Sequence, residues 1–318
     1  MIYRDSSTHD ISITQGTGDG SGWTPPYDTG IKITNAGGMI DAVYVLGRVY
    51  ILFRTDDLSC NIFGTNCSGT VYIRVMSCIA TGTASYNCTG PVTLYSYSWS
   101  NSFGAFSPNI CPCSITYDGS RFLFALYNLY NDNHIEIWTG TLNNGVWIFG
   151  QSGPVTSSSV LETASTAGAQ IRSIKPFGIS VSSNYLVWAG SDNKVNILQS
   201  SDGNTWTNKV TLGETTYSTP AISYNPIELL FHIAWQGTDS DRLLNDITSP
   251  DAVKWGNKAT FTTLSSGTNP SLAYHGTSYI LILGWADNDL NGNFLNVIWQ
   301  VNIGGSEGGC SSTKKATC

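Results

Sequence analysis

A strand–turn–strand unit that ends in tryptophan and is followed by aspartate recurs along this chain. Such self-similarity limits the available folds more than any single motif does. Ile179-Ser-Val181 leads to Tyr185-Leu-Val-Trp188 and Asp192. Ala221-Ile-Ser-Tyr224 leads to Leu230-Phe-His-Ile-Ala-Trp235 and Asp239, and Ser271-Leu-Ala-Tyr274 leads to Tyr279-Ile-Leu-Ile-Leu-Gly-Trp285 and Asp287. These tryptophans stand 47 and 50 residues apart. Two looser copies lie upstream: Ile115-Thr-Tyr117 with Phe122–Tyr127, and Ala42-Val-Tyr44 with Val49–Phe53.

A second hairpin follows the first. Val195–Leu198, Leu244–Ile247 and Ile135–Ile137 each run into a turn where Asp or Asn precedes Trp by four positions. The pairs are Asp202 and Trp206, Asp251 and Trp255, and Asn143 and Trp147; Asp19 and Trp23 repeat the spacing after Ile11–Ile13. A short polar side chain accepts the N–H groups of its own tight turn while the indole folds back over the hairpin, so the spacing is structural.

Period-two alternation with two hairpins per unit gives four strands per unit, which is a propeller blade. The expectation is an all-β, five-bladed β-propeller with four-stranded antiparallel blades. Blades are expected at about 41–108, 109–176, 177–219, 220–269 and 270–303, the last closed by residues 1–40, with 304–318 as a Gly/Ser/Cys tail. Ile11–Thr14 and Ile31–Thr34 should pair into the last blade, because a propeller has to seal its ring. The stretch from Thr163 to Ser173 reads as a loop.

Charged residues are only 12% of the chain, and 15 basic against 22 acidic side chains leave a net charge of −7. Scattered basic residues on an acidic chain exclude a nucleic-acid surface, which needs clustered Lys and Arg. No apolar run reaches the roughly 18 residues of a membrane span. Eight cysteines, Cys60, Cys67, Cys78, Cys88, Cys111, Cys113, Cys310 and Cys318, sit in a Ser/Thr/Asn-rich background. An even count in that background reads as disulfides in an oxidising, extracellular or cell-surface setting. The first six should form three bridges within or beside the first blade. The start, from Met1, lacks the apolar stretch of a signal peptide, so export implies a separate leader or another route. Asn66 and Asn87 head glycosylation sequons.

Ser200-Ser201-Asp202-Gly203-Asn204-Thr205-Trp206 resembles the Asp-box of sialidase-like bacterial β-propellers, one residue shorter between Asp and Gly than the usual form. Trp235-Gln-Gly-Thr-Asp239, Asn245 and Trp255-Gly-Asn-Lys258 resemble the same repeat. The resemblance covers Ile179 to Ile298 and implies the fold; it does not imply sialidase activity. That chemistry needs three convergent arginines, and among Arg4, Arg48, Arg54, Arg74, Arg121, Arg172 and Arg242 only Arg54 has a placement of that kind.

A glycoside hydrolase needs two carboxylates, one acid and one base or nucleophile. Asp41 opens the first blade in a manner that resembles five-bladed hydrolases, but later blades start on Pro, Gly or Ser, and Glu136, Glu162, Glu214 and Glu228 fall on outer strands or loops. The chain is therefore read as non-catalytic. Asp56, Asp132, Asp192, Asp239 and Asp287 would form a ring on one face beside Trp188, Trp235 and Trp285. Aromatic platforms flanked by acceptors suit sugars, and five carboxylates could also take calcium. The competing reading is that these aspartates cap turns and these tryptophans pack between blades. His9, His134, His232 and His275 show no metal spacing. Recognition of a carbohydrate or glycoprotein surface comes first, a building block of an extracellular filament second, and a hydrolase third. Leu295–Ile298 is a surplus strand that either thickens the last blade or, with Gly304–Gly309 as a tether, lets residues 294–318 contact a neighbouring copy in a head-to-tail array.

Overall fold

The computed structural model describes residues 2–4, 10–15, 24–33, 40–57, 59–60, 67–101, 114–128, 134–157, 160–266, 269–275, 280–286, 295–301 and 313–316. Among them every regular element is a β-strand, and no helix is long and apolar enough to cross a membrane.

Among the described residues six antiparallel sheets of three or more strands follow one another along the chain, with a two-stranded ribbon of Thr156–Ser157 and Val160–Leu161 between the third and the fourth. The first has three strands, Ile2–Arg4, Asp10–Ile13 and Tyr27–Lys32. The second has six strands between residues 41 and 101, starting with Asp41–Val45 and Arg48–Asp56 and built around the long strand Cys67–Gly82. The remaining four are four-stranded meanders. The third runs from Ser114–Tyr117 to Val146–Pro154 and the fourth from Ala164–Ile174 to Thr207–Thr215. The fifth runs from Ala221–Asn225 to Gly256–Ser265 and the sixth from Ser271–His275 to Thr313–Ala316.

Alternation in the sequence decides how the sheets stack. Leu186 and Trp188 face the third sheet and pack with Leu123 and Ile137. Their neighbours Tyr185 and Val187 face the other way and pack with Phe231 and Ile233 of the fifth sheet. A strand buried on both faces therefore reads as a continuous apolar run, as Tyr185–Ala189 does. Each consecutive pair of sheets encloses one such cluster, from Ile11 against Phe53 to Leu244 against Leu283. Fully burying one aliphatic or aromatic side chain contributes about 1.5–3 kcal/mol, so these five layers hold the stack together. The first strands of the second to sixth sheets lie side by side, which is a β-propeller arrangement.

Three expectations change. Among the described residues there are four four-stranded sheets rather than five, because the second sheet gains extra strands around Cys67–Gly82. Residues 1–40 do not complete the last blade among the described residues: Asp10–Ile13 pairs with Ile2–Arg4 and Tyr27–Lys32, and Ile11, Ile13 and Ile33 pack on Ile51, Phe53 and Met76 of the second sheet. The outer position of the last sheet is taken by Thr313–Ala316, paired with Leu295–Ile298 of the same chain. Finally, the inner strand of the fourth sheet is Ala164–Ile174, and Ile179 and Val181 lie exposed in the following loop. A register shift between Ala164 and Ala169, with Gly168 at φ 88°, breaks the period-two signal there.

Cys78 and Cys88 oppose each other across two strands and form a disulfide. Cys60 and Cys67 are opposite in register, with side chains outside the described residues. Cys111, Cys113, Cys310, Cys318 and Asn66 also lie outside the described residues, whereas Asn87 is exposed on the strand Ser85–Cys88.

Candidate functional site

The first strands meet through a belt of side chain to backbone bonds. Asp41 Oδ2 accepts from the Ser114 hydroxyl at 2.6 Å and from Ile115 N–H at 3.0 Å. Ser114 Oγ in turn accepts Ile171 N–H at 3.1 Å, Thr116 Oγ1 accepts Ser173 N–H at 2.8 Å, and Gln170 Oε1 accepts Ile222 N–H at 2.8 Å. Inner strands have no further strand on one side, so these side chains satisfy N–H groups that would otherwise be orphaned. Arg172 completes the belt by clasping Asp41 at 2.7 and 2.8 Å.

Beside Arg172, the inner strands of the fourth, fifth and sixth sheets and the residues just after them line a cavity of about 350 Å³. Its apolar wall is Ile174, Ile222, Pro226, Leu272 and Ala273, and its polar groups come from Arg172, Ser173, Lys175, Ser223, Tyr224 and Tyr274. Tyr224 packs its ring on Phe231 at 5.0 Å, and its hydroxyl accepts Phe177 N–H at 3.2 Å. The loop 175–182 is thereby pinned to the cavity wall. That volume lies within the range of about 300–1,000 Å³ usual for small-molecule sites, and apolar walls with a few convergent polar groups are their usual lining.

The residues singled out in the sequence lie elsewhere. Asp56 ends a second strand, and Asp192 and Asp239 follow theirs, at the opposite end of the sheets from the cavity. Asp56 forms a buried ion pair with Arg54 at 3.2 Å. Asp192 Oδ1 accepts Lys194 N–H at 3.1 Å and Asp239 Oδ1 accepts Leu243 N–H at 3.1 Å, so both cap their turns. Gly190 and Gly237 stand two residues after Trp188 and Trp235, where a Cβ would strike Asp192 and Asp239. Trp188 and Trp235 are 0% and 1% exposed, so neither offers a ring face to a sugar; the expectation of tryptophan platforms at these two positions is corrected. Each instead sits 5.7 Å from a lysine, Lys209 or Lys258, and these lysines pair with Glu162 at 2.6 Å and Glu214 at 2.5 Å. Asp132, Asp287 and the Trp285 side chain lie outside the described residues. No group of three metal-ligating side chains occurs among the described residues.

Two further features were only half legible. Asp202 Oδ1 accepts Asn204 and Thr205 N–H groups at 2.8 and 2.7 Å, and Asp251 Oδ1 accepts Val253 and Lys254 at 2.9 and 2.8 Å. Those backbone donors hold Asp202 down to about 2 and lower Asp251 as well. The other is His232, buried with Nδ1 3.0 Å from Asp246 and Nε2 2.8 Å from Glu228. Burial pushes the imidazole down, but the two carboxylates outweigh it and raise it to about 9. Asp246 is raised, chiefly by its own burial. His232 stands directly opposite Ser223 of the cavity lining, and Pro226 and Glu228 belong to the same turn region.

No family model matches the chain, and no curated protein matches it. Solved structures do. AofleA from Arthrobotrys oligospora is 6% identical with a TM-score of 0.51, over 89% of this chain and 87% of that one. The SapL1 lectin in complex with alpha methyl fucoside is 13% identical with a TM-score of 0.50, over 89% and 83%. A GH43_1 enzyme from Xanthomonas citri complexed with xylose is 9% identical with a TM-score of 0.50, over 88% and 89%. At such identities the likeness is one of fold alone.

Proposed function

We propose that this chain is a non-catalytic, extracellular carbohydrate-binding propeller that holds a glycan in the cavity between its inner strands and so serves adhesion to a cell or matrix surface. The observation that carries the reading is the lining: tyrosines Tyr224 and Tyr274 and the hydroxyls of Ser173 and Ser223 around an apolar wall. Sugars pack C–H faces on rings and exchange hydrogen bonds with hydroxyls. Two solved structures of the same fold, one a lectin with alpha methyl fucoside and one an enzyme with xylose, support the capacity of this architecture for sugars. We read all six sheets as successive blades, because every consecutive pair shares one apolar layer. The Cys78–Cys88 bridge supports an oxidising compartment. The self-capped turns at Asp202 and Asp251 support kinship with the sialidase-like repeat.

Hydrolysis fits less well. Asp41 is held by Arg172 in a bidentate pair, and among the described residues no carboxylate lines the cavity, whereas glycosidic cleavage needs two. Screening the purified chain on a glycan array, beside Tyr274→Ala, tests the proposal. Binding that falls in the variant supports it; an array without any bound glycan would sink it.

Assembly is the second reading, and one observation favours it. The outer strand of the last sheet is the chain's last described segment, Thr313–Ala316, paired with Leu295–Ile298. A terminal strand that closes a sheet in this way can fill the same edge of a neighbouring copy by strand exchange, giving a head-to-tail array. Removal of residues 304–318 followed by sizing would then convert polymers to single chains.

A further inference from the structure

The charge of the cavity is opposite to that of the chain. The protein carries −7 overall, yet the described lining holds Arg172 and Lys175 and no carboxylate. Arg172 is committed, because both its terminal nitrogens face Asp41 at 2.7 and 2.8 Å. Lys175 is not. It is exposed at the mouth, just after the strand Ala164–Ile174, and it joins no ion pair among the described residues. The contrast with other lysines is direct: Lys194, Lys209 and Lys258 each meet a carboxylate within 3.4 Å. A lone ammonium beside hydroxyls and tyrosines is a partner for a ligand that carries negative charge as well as hydroxyl groups.

We propose that the cavity takes an anionic sugar residue, carboxylated or sulfated, with Lys175 at its acidic group and Tyr224, Tyr274, Ser173 and Ser223 against the ring. This rests on the carbohydrate reading above and narrows it. The overall negative charge repels such a ligand at long range, so the attraction is local, and neutral sugars lose nothing by avoiding Lys175.

Titration with three oligosaccharides decides it: a neutral xylan or galactan fragment, a polyuronate fragment and a sulfated galactan fragment. Lys175→Ala should weaken an acidic ligand about tenfold, the size of one charge-assisted hydrogen bond, while Lys175→Arg keeps most of the affinity. Lys254→Ala removes the same charge from a turn of the fifth sheet and should leave binding unchanged. Raising salt should weaken acidic ligands only. The polyuronate and sulfated arms separate carboxylate from sulfate. Neutral ligands bound as well as acidic ones, or equal losses in Lys175→Ala and Lys254→Ala, overturn this inference and leave the carbohydrate reading standing. Failure of all three ligands together with an empty array overturns both.

Discussion

Arg172 grips both carboxylate oxygens of Asp41 at 2.7 and 2.8 Å, although 131 positions of chain separate them. The same guanidinium donates to the carbonyls of Ile115 and Ile171 at 3.3 and 2.9 Å. One side chain thus ties the inner strands of the second, third and fourth sheets. Arg172 lines the cavity as well, as do Ser173 and Ile222, whose N–H groups the same belt satisfies, so the joint that fixes the blades also fixes the wall of the site.

Arg172→Ala should destabilise the fold by about 2–3 kcal/mol. Loss of one partner from a buried pair costs roughly 3–5 kcal/mol, and the residual exposure of 19% and 14% here reduces that figure. Asp41→Asn should cost less, because an amide still accepts from Ile115 and Ser114. Urea unfolding of the two variants provides the check; equal and negligible losses would show that the pair does not hold the sheets.

Opening the Cys78–Cys88 bridge should cost about 2–3 kcal/mol, the loop-closure value for cysteines 10 positions apart. The effect should be confined to the second sheet and its face toward Ile11 and Tyr27, where Cys78 and Cys88 pack. Hydrogen exchange of Cys78→Ala/Cys88→Ala should show faster exchange in Ser85–Cys88 and unchanged protection in Leu230–Gln236. Uniform loss across the chain would contradict this.

Strand order in the fourth and fifth sheets was legible because Trp188 and Trp235 mark strands whose two faces are both buried, and the run of apolar residues survives intact. The fourth sheet's inner strand was not legible, since Ala164, Gly168 and Ala169 carry a bulge and small side chains that read as a loop. That error hid Arg172, and with it the cavity. The repeat of Trp and Asp was real, but its meaning was packing and turn closure: Gly190 and Gly237 leave room for Asp192 and Asp239 to cap. Sequence spacing alone does not reveal which end of a sheet a turn occupies relative to a cavity formed by three different strands. Nor could it show that Ile11 and Ile13 find their apolar partners on the second sheet.

Asp202→Ala should lower stability by about 1 kcal/mol, since three short bonds to an exposed turn are worth far less than buried ones. Its carboxyl is depressed to about 2, so its contribution is present above the unfolded value near 3.8 and disappears as pH falls toward 2. Melting temperatures of wild type and Asp202→Ala should therefore converge between pH 4 and pH 2. A gap that stays constant through that range would show that the charge plays no part.

His232 supplies the opposite sign. It occupies in the fifth sheet the place that Tyr185 takes in the fourth, three residues before the buried tryptophan, where Tyr185 packs on Phe231. In place of a ring contact it forms a charged triad with Asp246 and Glu228. Its imidazole is raised from 6.5 to about 9 because the carboxylates overcome the burial. The folded state therefore holds the proton more tightly than the unfolded chain. The resulting stability is complete below pH 6.5 and is lost as pH rises through about 9, a change on the order of 3 kcal/mol. Asp246 is raised as well, chiefly by its own burial. Urea midpoints should fall between pH 6.5 and 9.5 in the wild type. In His232→Gln the protein starts less stable, because Asp246 loses its cation, and the slope over that interval should be largely gone. A wild type whose midpoint is flat across the window, or a His232→Gln variant with the same slope, would remove the histidine as the cause.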